Sequence, residues 1–183
     1  MNIAFSPISL GLASPENLQG ESFVEATGRR LVQTESTGLP VVFVDTLVDE
    51  NDGDLSGGDV SLREALALVE AGGTIEFAED LAGTIALDSS LGQLVIDKAL
   101  TIDGTGEAVI TVDAQGNSRV FRISDGDYGT QLSVNIRGLT ITGGNAGERF
   151  NADGGGIHTT ENLDLTNVTI TGNTAFDGGG IFG

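Results

Sequence analysis

The chain has 183 residues, enough for a domain with a hydrophobic core, and its 27 acidic against 8 basic residues give a formal net charge of −19. Such a surface repels nucleic acid and anionic membranes, so we expect neither as a partner. The chain contains no cysteine and no apolar run long enough to span a bilayer, which excludes a disulfide framework and a transmembrane helix.

The first third of the chain predicts an arm, one strand and one helix. Residues 1–39 mix small and polar side chains without a period, which indicates a leader or flexible arm ahead of a domain over 40–183. The β-branched run 41–44 predicts a short strand. Ser61 and Glu64 have the spacing of a capping box, and the apolar face that follows predicts a helix over 61–71, ended by two glycines.

The loop before this helix is dense in carboxylates. Asp49, Asp52, Asp54 and Asp59 are oxygen ligands of the kind that Ca²⁺ prefers, so we name them as a candidate calcium site. Their spacing departs from the EF-hand pattern, since Val60 stands where that pattern has glutamate at position twelve of the loop. The alternative is a solvated acidic turn.

An internal repeat dominates the second half of the chain. Its apolar residues recur 29 positions later: Val134, Ile136, Leu139 and Ile141 return as Leu163, Leu165, Val168 and Ile170. The Gly-Gly-Gly-Ile segment at 154–157 returns after 24 positions, at 178–181, which predicts a five-residue insertion at 147–151. A looser, earlier copy is expected at Leu94, Ile96, Leu100 and Ile102.

Such a repeat predicts a β-solenoid. A unit of a few short strands cannot bury its own apolar face, but stacked units bury a continuous core. We therefore expect an all-β fold, a right-handed parallel β-helix with an N-terminal capping α-helix that covers the first coil.

Two parts of the chain resemble known bacterial proteins. The segment from Val41 through Ser61-Leu62-Arg63-Glu64-Ala65 to Phe77 resembles the CSLREA-type N-terminal module, with Val60 in place of the cysteine. The Gly-Leu-Thr-Ile-Thr-Gly-Gly-Asn segment at 138–145 and the Gly-Gly-Gly-Ile segments resemble the coils of polymorphic outer-membrane and pectin-lyase-like β-helix proteins. The resemblance implies an extracellular or cell-surface location and membership of a larger adhesin-like or passenger protein. Because Gly183 ends a coil without a cap, we expect truncation at the C-terminal end and further coils in a longer chain.

Two functions follow as hypotheses. The first is a surface scaffold that contacts carbohydrate or a neighbouring cell surface through Glu148, Arg149 and Phe150, which lie in the unrepeated segment 147–153. The second is a polysaccharide lyase or glycoside hydrolase. The resemblance implies an arginine base for it, for which Arg122 and Arg137 are candidates, and Ca²⁺ held by aspartates. Ordinary solvent-facing charges are the favoured interpretation of these arginines, and we assign no catalytic residue.

Overall fold

The computed structural model of the chain describes residues 39–105, 109–147, 149–150 and 152–183. The predicted arm lies outside these ranges except for its last residue, Leu39. The described residues form one helix, α1 (Leu62–Leu68). Their strands are β1 (Leu39–Val44), β2 (Val69–Phe77), β3 (Gly83–Ala86), β4 (Leu94–Ile96), β5 (Leu100–Asp103), β6 (Ile110–Asp113), β7 (Phe121–Ile123), β8 (Ser133–Arg137), β9 (Leu139–Thr142), β10 (Ile157–Thr159), β11 (Asn162–Thr166), β12 (Thr169–Ile170) and β13 (Ile181–Phe182).

The strands stack into three parallel sheets. The first sheet has the order β1-β2-β5-β8-β11, the second β3-β6-β9-β12, and the third β4-β7-β10-β13. Each coil gives one strand to each sheet, so that coil 1 is β2–β4, coil 2 is β5–β7, coil 3 is β8–β10 and coil 4 is β11–β13. The prediction of an all-β parallel β-helix with a helix at its start is confirmed, and the stack has about four turns.

The core is a set of apolar columns that run along the stack. Side chains alternate between inside and outside along a strand, and parallel register places equivalent residues of successive coils above one another. The inward residues are at most 5% exposed: Val42, Ile75, Ile102 and Ile136 in the first sheet, Ile85, Val112 and Ile141 in the second, and Leu94, Phe121 and Ile157 in the third. Each such side chain contributes about 1.5–3 kcal/mol of burial energy, so the columns supply most of the stability.

The predicted repeat is the register of coils 3 and 4. Leu163 pairs with Val134, and Ile170 pairs with Ile141. The earlier copy is wrong in its assignment: Leu94 pairs with Phe121 in the third sheet, whereas Leu100 is the residue that aligns with Val134. The alignment was hidden because six residues separate β5 from β6, while one separates β8 from β9.

That single residue, Gly138, turns the chain from the first sheet to the second. Its φ is +66°, and a Cβ there would lie 2.6 Å from the carbonyl carbon of Gly104 in the coil below. The equivalent residue of coil 4 is Asn167, at φ +54°. Glycine and asparagine are the residues that adopt this left-handed conformation most readily, which explains their use at this corner.

Helix α1 begins as predicted and ends earlier. Ser61 accepts from the Glu64 N–H, and the Glu64 carboxylate accepts from the Ser61 N–H, so the capping box is present. The predicted end at residue 71 is wrong, because Val69 is already extended (ψ 137°) and starts β2. Gly72 donates to the carbonyl of Ala99 in the next coil, so pairing between coils prevails over the local helical pattern.

In the described part of the chain, coil 4 packs against coil 3 on one side and has no coil on its other side. Its inward residues Leu163, Leu165, Val168 and Ile170 are only half-buried. Their equivalents in coil 3, Val134, Ile136, Leu139 and Ile141, are at most 1% exposed. Within the described ranges, no helix is both long enough and apolar enough to cross a membrane.

Candidate functional site

The first of the predicted calcium ligands, Asp49, is held by Arg63. The guanidinium donates from Nε to Oδ1 and from Nη2 to Oδ2 of Asp49, both at 2.8 Å, and Oδ2 also accepts from the Asp88 N–H. The same guanidinium donates to the carbonyls of Gly92 at 2.7 Å and Gln93 at 3.1 Å. Because the Asp49 side chain is 2% exposed and accepts three hydrogen bonds, it anchors the acidic loop to α1 and to coil 1.

The other three predicted ligands, Asp52, Asp54 and Asp59, form a group of mutually repelling carboxylates with Glu50. Glu50 was not among the predicted ligands. Burial, and then the negative charges of Asp59 and Asp52, raise the pKa of Glu50. Burial, and then Asp54 and Asp52, raise the pKa of Asp59. One oxygen of Glu50, Oε1, is buried without a hydrogen-bond partner.

These carboxylates do not form a metal centre as they stand. Asp52 accepts from the Asp54 N–H at 2.8 Å, and Asp54 accepts from the Ser56 N–H at 2.9 Å, contacts typical of a loop that stabilises its own turns. Among the described residues, no group of three or more acidic or histidine side chains is arranged to hold a metal ion. Calcium at this loop therefore stays a prediction.

We expect Asp59→Asn to raise the melting temperature at pH 7. The folded state raises the pKa of this carboxyl, so ionised Asp59 destabilises the fold at neutral pH. As the pH falls through the raised pKa towards the ordinary value of 3.8, the wild-type group takes up a proton and the advantage of the variant should disappear. Thermal unfolding followed by circular dichroism from pH 7 to about pH 3 measures this.

The matched control is Asp97→Asn, an exposed aspartate beyond β4, which should leave the melting temperature unchanged at pH 7. A lower melting temperature for Asp59→Asn at pH 7 would contradict the repulsion. The same measurement tests calcium. If the loop binds the ion, CaCl₂ should stabilise the wild type more than NaCl of equal ionic strength, and the variant should lose this difference.

The segment 147–153, called the insertion loop below, breaks the repeat between β9 and β10. Asn145 bridges to Thr174 before the loop, and Ile157 pairs with Ile181 after it, which confirms the predicted five extra residues. Phe150 is 81% exposed, and its ring forms an edge-to-face pair with that of Phe176 in coil 4, with centroids 6.1 Å apart. Of the predicted contact residues, Arg149 is exposed and Glu148 lies outside the described residues.

Beside this loop, the third sheet carries a column of outward side chains that sequence reasoning missed. Parallel register stacks Val95, Arg122, His158 and Phe182, one from each coil; we call this column the third-sheet ladder. The rings of His158 and Phe182 are stacked, 5.7 Å apart and 18° from parallel. Burial, followed by the charges of Arg119 and Arg122, lowers the pKa of His158.

One contact ties the ladder to the insertion loop. Arg119 precedes β7, and its Nε donates to the carbonyl of Asp153 at 2.6 Å. Arg119 and Arg122 therefore lie near His158 on this side of the stack, and the sequence adds Arg149 in the insertion loop, although the chain as a whole carries a net charge of −19. This side combines cationic and aromatic groups, which are typical of contact surfaces.

The two arginines named for a lyase site do not lie together. Arg122 is on β7 in the third sheet, and Arg137 is on β8 in the first, because the repeat has three strands per coil. Arg137 lies 3.8 Å from Asp103 of the coil below. Asp164 does pair with Asn135, as the 29-residue offset predicts. A site that uses both arginines is therefore wrong.

No family model matches this chain, and comparisons with curated proteins and with solved structures return no match either. The assignment of a parallel β-solenoid rests on the strand order of the structure.

Proposed function

We propose that this chain is a β-solenoid scaffold of an exported or cell-surface protein, part of a larger adhesin-like or passenger protein. Its contact surface consists of the insertion loop and the third-sheet ladder. The observation that carries the proposal is the exposed Phe150 on the loop that interrupts the repeat between coils 3 and 4. A large exposed aromatic side chain contributes nothing to the core, and such residues are enriched at binding surfaces.

Two described residues of this loop contact the stack, which favours binding. Phe150 packs against Phe176, and Arg119 holds the carbonyl of Asp153. Side chains that are already packed or hydrogen-bonded lose less entropy when a partner binds, and more of the contact energy then appears as affinity.

The charges of this surface favour an acidic partner. Arg122 and Arg149 are exposed, and Arg122 has no ion pair within the described ranges. Because the rest of the chain is strongly acidic, an anionic partner is attracted here and repelled elsewhere, which fixes the orientation of binding. Among the carbohydrate and cell-surface partners expected from the sequence, we propose an anionic surface polysaccharide.

Removal of residues 147–151 should abolish most binding and leave the stack folded. The shortened corner would copy the turn of coil 4, which already joins β12 to β13 without these residues. We expect affinity for immobilised alginate or heparin to fall at least about tenfold, a loss typical of one aromatic anchor and one charge. Biolayer interferometry measures the affinity, and circular dichroism checks the fold.

Tyr128→Ala is the matched control, because Tyr128 is 87% exposed in a different loop. It should bind as the wild type does. Equal binding by the shortened chain would refute the placement of the contact surface.

The alternative, a lyase or hydrolase, would have to rely on Arg122 or Arg137 separately. The same polysaccharides, incubated with the protein and CaCl₂, should then yield new chain ends that Arg122→Ala or Arg137→Ala removes. The scaffold proposal expects binding without cleavage.

A further inference from the structure

A cleft beside the first two coils has a different chemistry. It has a volume of about 660 Å³ and is lined by residues 76–81, after β2 and before β3, and by residues 103–105 and Ile110 of coil 2. Among the described residues, four carboxylates line it: Glu76, Glu79, Asp80 and Asp103. The volume falls in the range of small-molecule sites in proteins.

Within the described ranges, a single positive charge, that of Arg137, lies close to the carboxylates of the cleft. Glu76 and Asp103 are paired neighbours on β2 and β5, and adjacent strands lie only about 4.8 Å apart. Like charges at such positions destabilise a sheet. Arg137 is 3.8 Å from Asp103, while Glu76, Glu79 and Asp80 have no ion pair within the described ranges.

Asp103 is held in its ionised form. It accepts from the N–H of Thr105 at 3.0 Å and from its hydroxyl at 2.5 Å. The hydroxyl contact is the main reason why the pKa of Asp103 lies below its ordinary value. The negative charge of Asp103 is thus present at neutral pH.

The other lining residues distinguish an organic cation from a metal ion. The half-buried side chains of Phe77 and Leu81 form apolar parts of the lining. A metal ion gains nothing from apolar side chains, whereas a methylene chain does. The described carboxylates also form no group of three that could ligate one ion. A ligand with several positive charges, spaced along an aliphatic chain, satisfies both features.

We propose that this cleft binds an extended aliphatic cation of the polyamine class. Its ammonium groups would lie against Glu76, Glu79, Asp80 and Asp103, and its methylene groups against Phe77 and Leu81. This site is independent of the insertion loop and of the third-sheet ladder.

Isothermal titration calorimetry of the full chain with spermidine tests the proposal. The variant Glu76→Gln/Glu79→Gln/Asp80→Asn should bind spermidine about tenfold more weakly, because three modest charge interactions are lost together. The control Asp97→Asn/Asp164→Asn/Asp177→Asn removes the same charge from exposed positions outside the cleft, and should change the affinity less than about twofold. Melting curves check that both variants fold.

Two results would overturn the proposal. Equal weakening by both triple variants would show diffuse attraction to an acidic protein and no site. Tighter binding of a trilysine peptide than of spermidine, with the same dependence on Glu76, Glu79 and Asp80, would assign the cleft to a basic protein segment. A competition experiment gives the expected result for a metal ion. MgCl₂ should displace spermidine from the cleft only at concentrations at least about tenfold above those of spermidine, since the apolar lining favours the organic ion.

Discussion

Arg63→Ala should lower the stability of the domain by about 3–5 kcal/mol, which corresponds to a fall of about 10 °C in melting temperature. The substitution leaves the 2%-exposed carboxylate of Asp49 without its ion-pair partner. It also removes the donors to the carbonyls of Gly92 and Gln93. A buried charge that loses its partner carries its full desolvation penalty, which is why one side chain has so large an effect. Urea denaturation gives the free energy directly.

Two further variants separate the charge from the packing. Arg63→Met/Asp49→Leu removes both charges and should regain much of the lost stability. Arg63→Lys keeps the charge but has a single ammonium in place of the planar fork, so an intermediate loss is expected. A change below about 1 kcal/mol in Arg63→Ala would mean that the ion pair is a surface contact of little weight.

Phe121→Ala should cost a similar amount, about 3–5 kcal/mol, through a cavity at the centre of the stack. Phe121 is fully buried and stands in the third-sheet column between Leu94 of coil 1 and Ile157 of coil 3. The loss should appear as a lower midpoint in urea with an unchanged slope, because the same surface is exposed on unfolding.

Phe182→Ala is the matched control for this substitution. Phe182 occupies the outward ladder of the same sheet and is 38% exposed, so its loss should cost less than about 1 kcal/mol. Equal losses for the two variants would contradict the division of the third sheet into an inner and an outer column.

The fold could be predicted because its main determinant is periodic. Leu163 and Ile170 repeat Val134 and Ile141 after 29 residues, and this spacing is the length of chain needed to return to the same sheet. The capping box of Ser61 is equally local, since its two hydrogen bonds span three residues. Local patterns and exact repeats are the features that can best be predicted from a single sequence.

Features that depend on contacts between residues far apart in sequence were predicted less well. Leu94 was predicted to start a repeat copy, a position that belongs to Leu100, because coil 2 places extra residues at a corner where coil 3 has only Gly138. Helix α1 was predicted too long because Val69 continues the apolar face, although its backbone belongs to β2. In both cases the deciding interaction joins residues that lie far apart in sequence.

The candidate sites show the same limit more strongly. Asp49 fits a calcium ligand in the sequence, and only the fold brings Arg63 to it. The third-sheet ladder takes one residue from each coil, among them Arg122, His158 and Phe182, from strands of two or three residues. Strands this short have too few residues to show alternation, so the sequence alone does not indicate which of their side chains point outward.

The corner that carries the insertion loop also bears on how such a protein changes over generations. The chain advances 12 positions from Asn145 to Ile157 and 7 positions from Thr174 to Ile181, yet both ends of the two segments remain in register. Insertions and deletions at this corner can therefore be sampled by natural selection without a compensating change in the interior. For the same reason, it is a suitable position at which to graft a foreign epitope onto the scaffold.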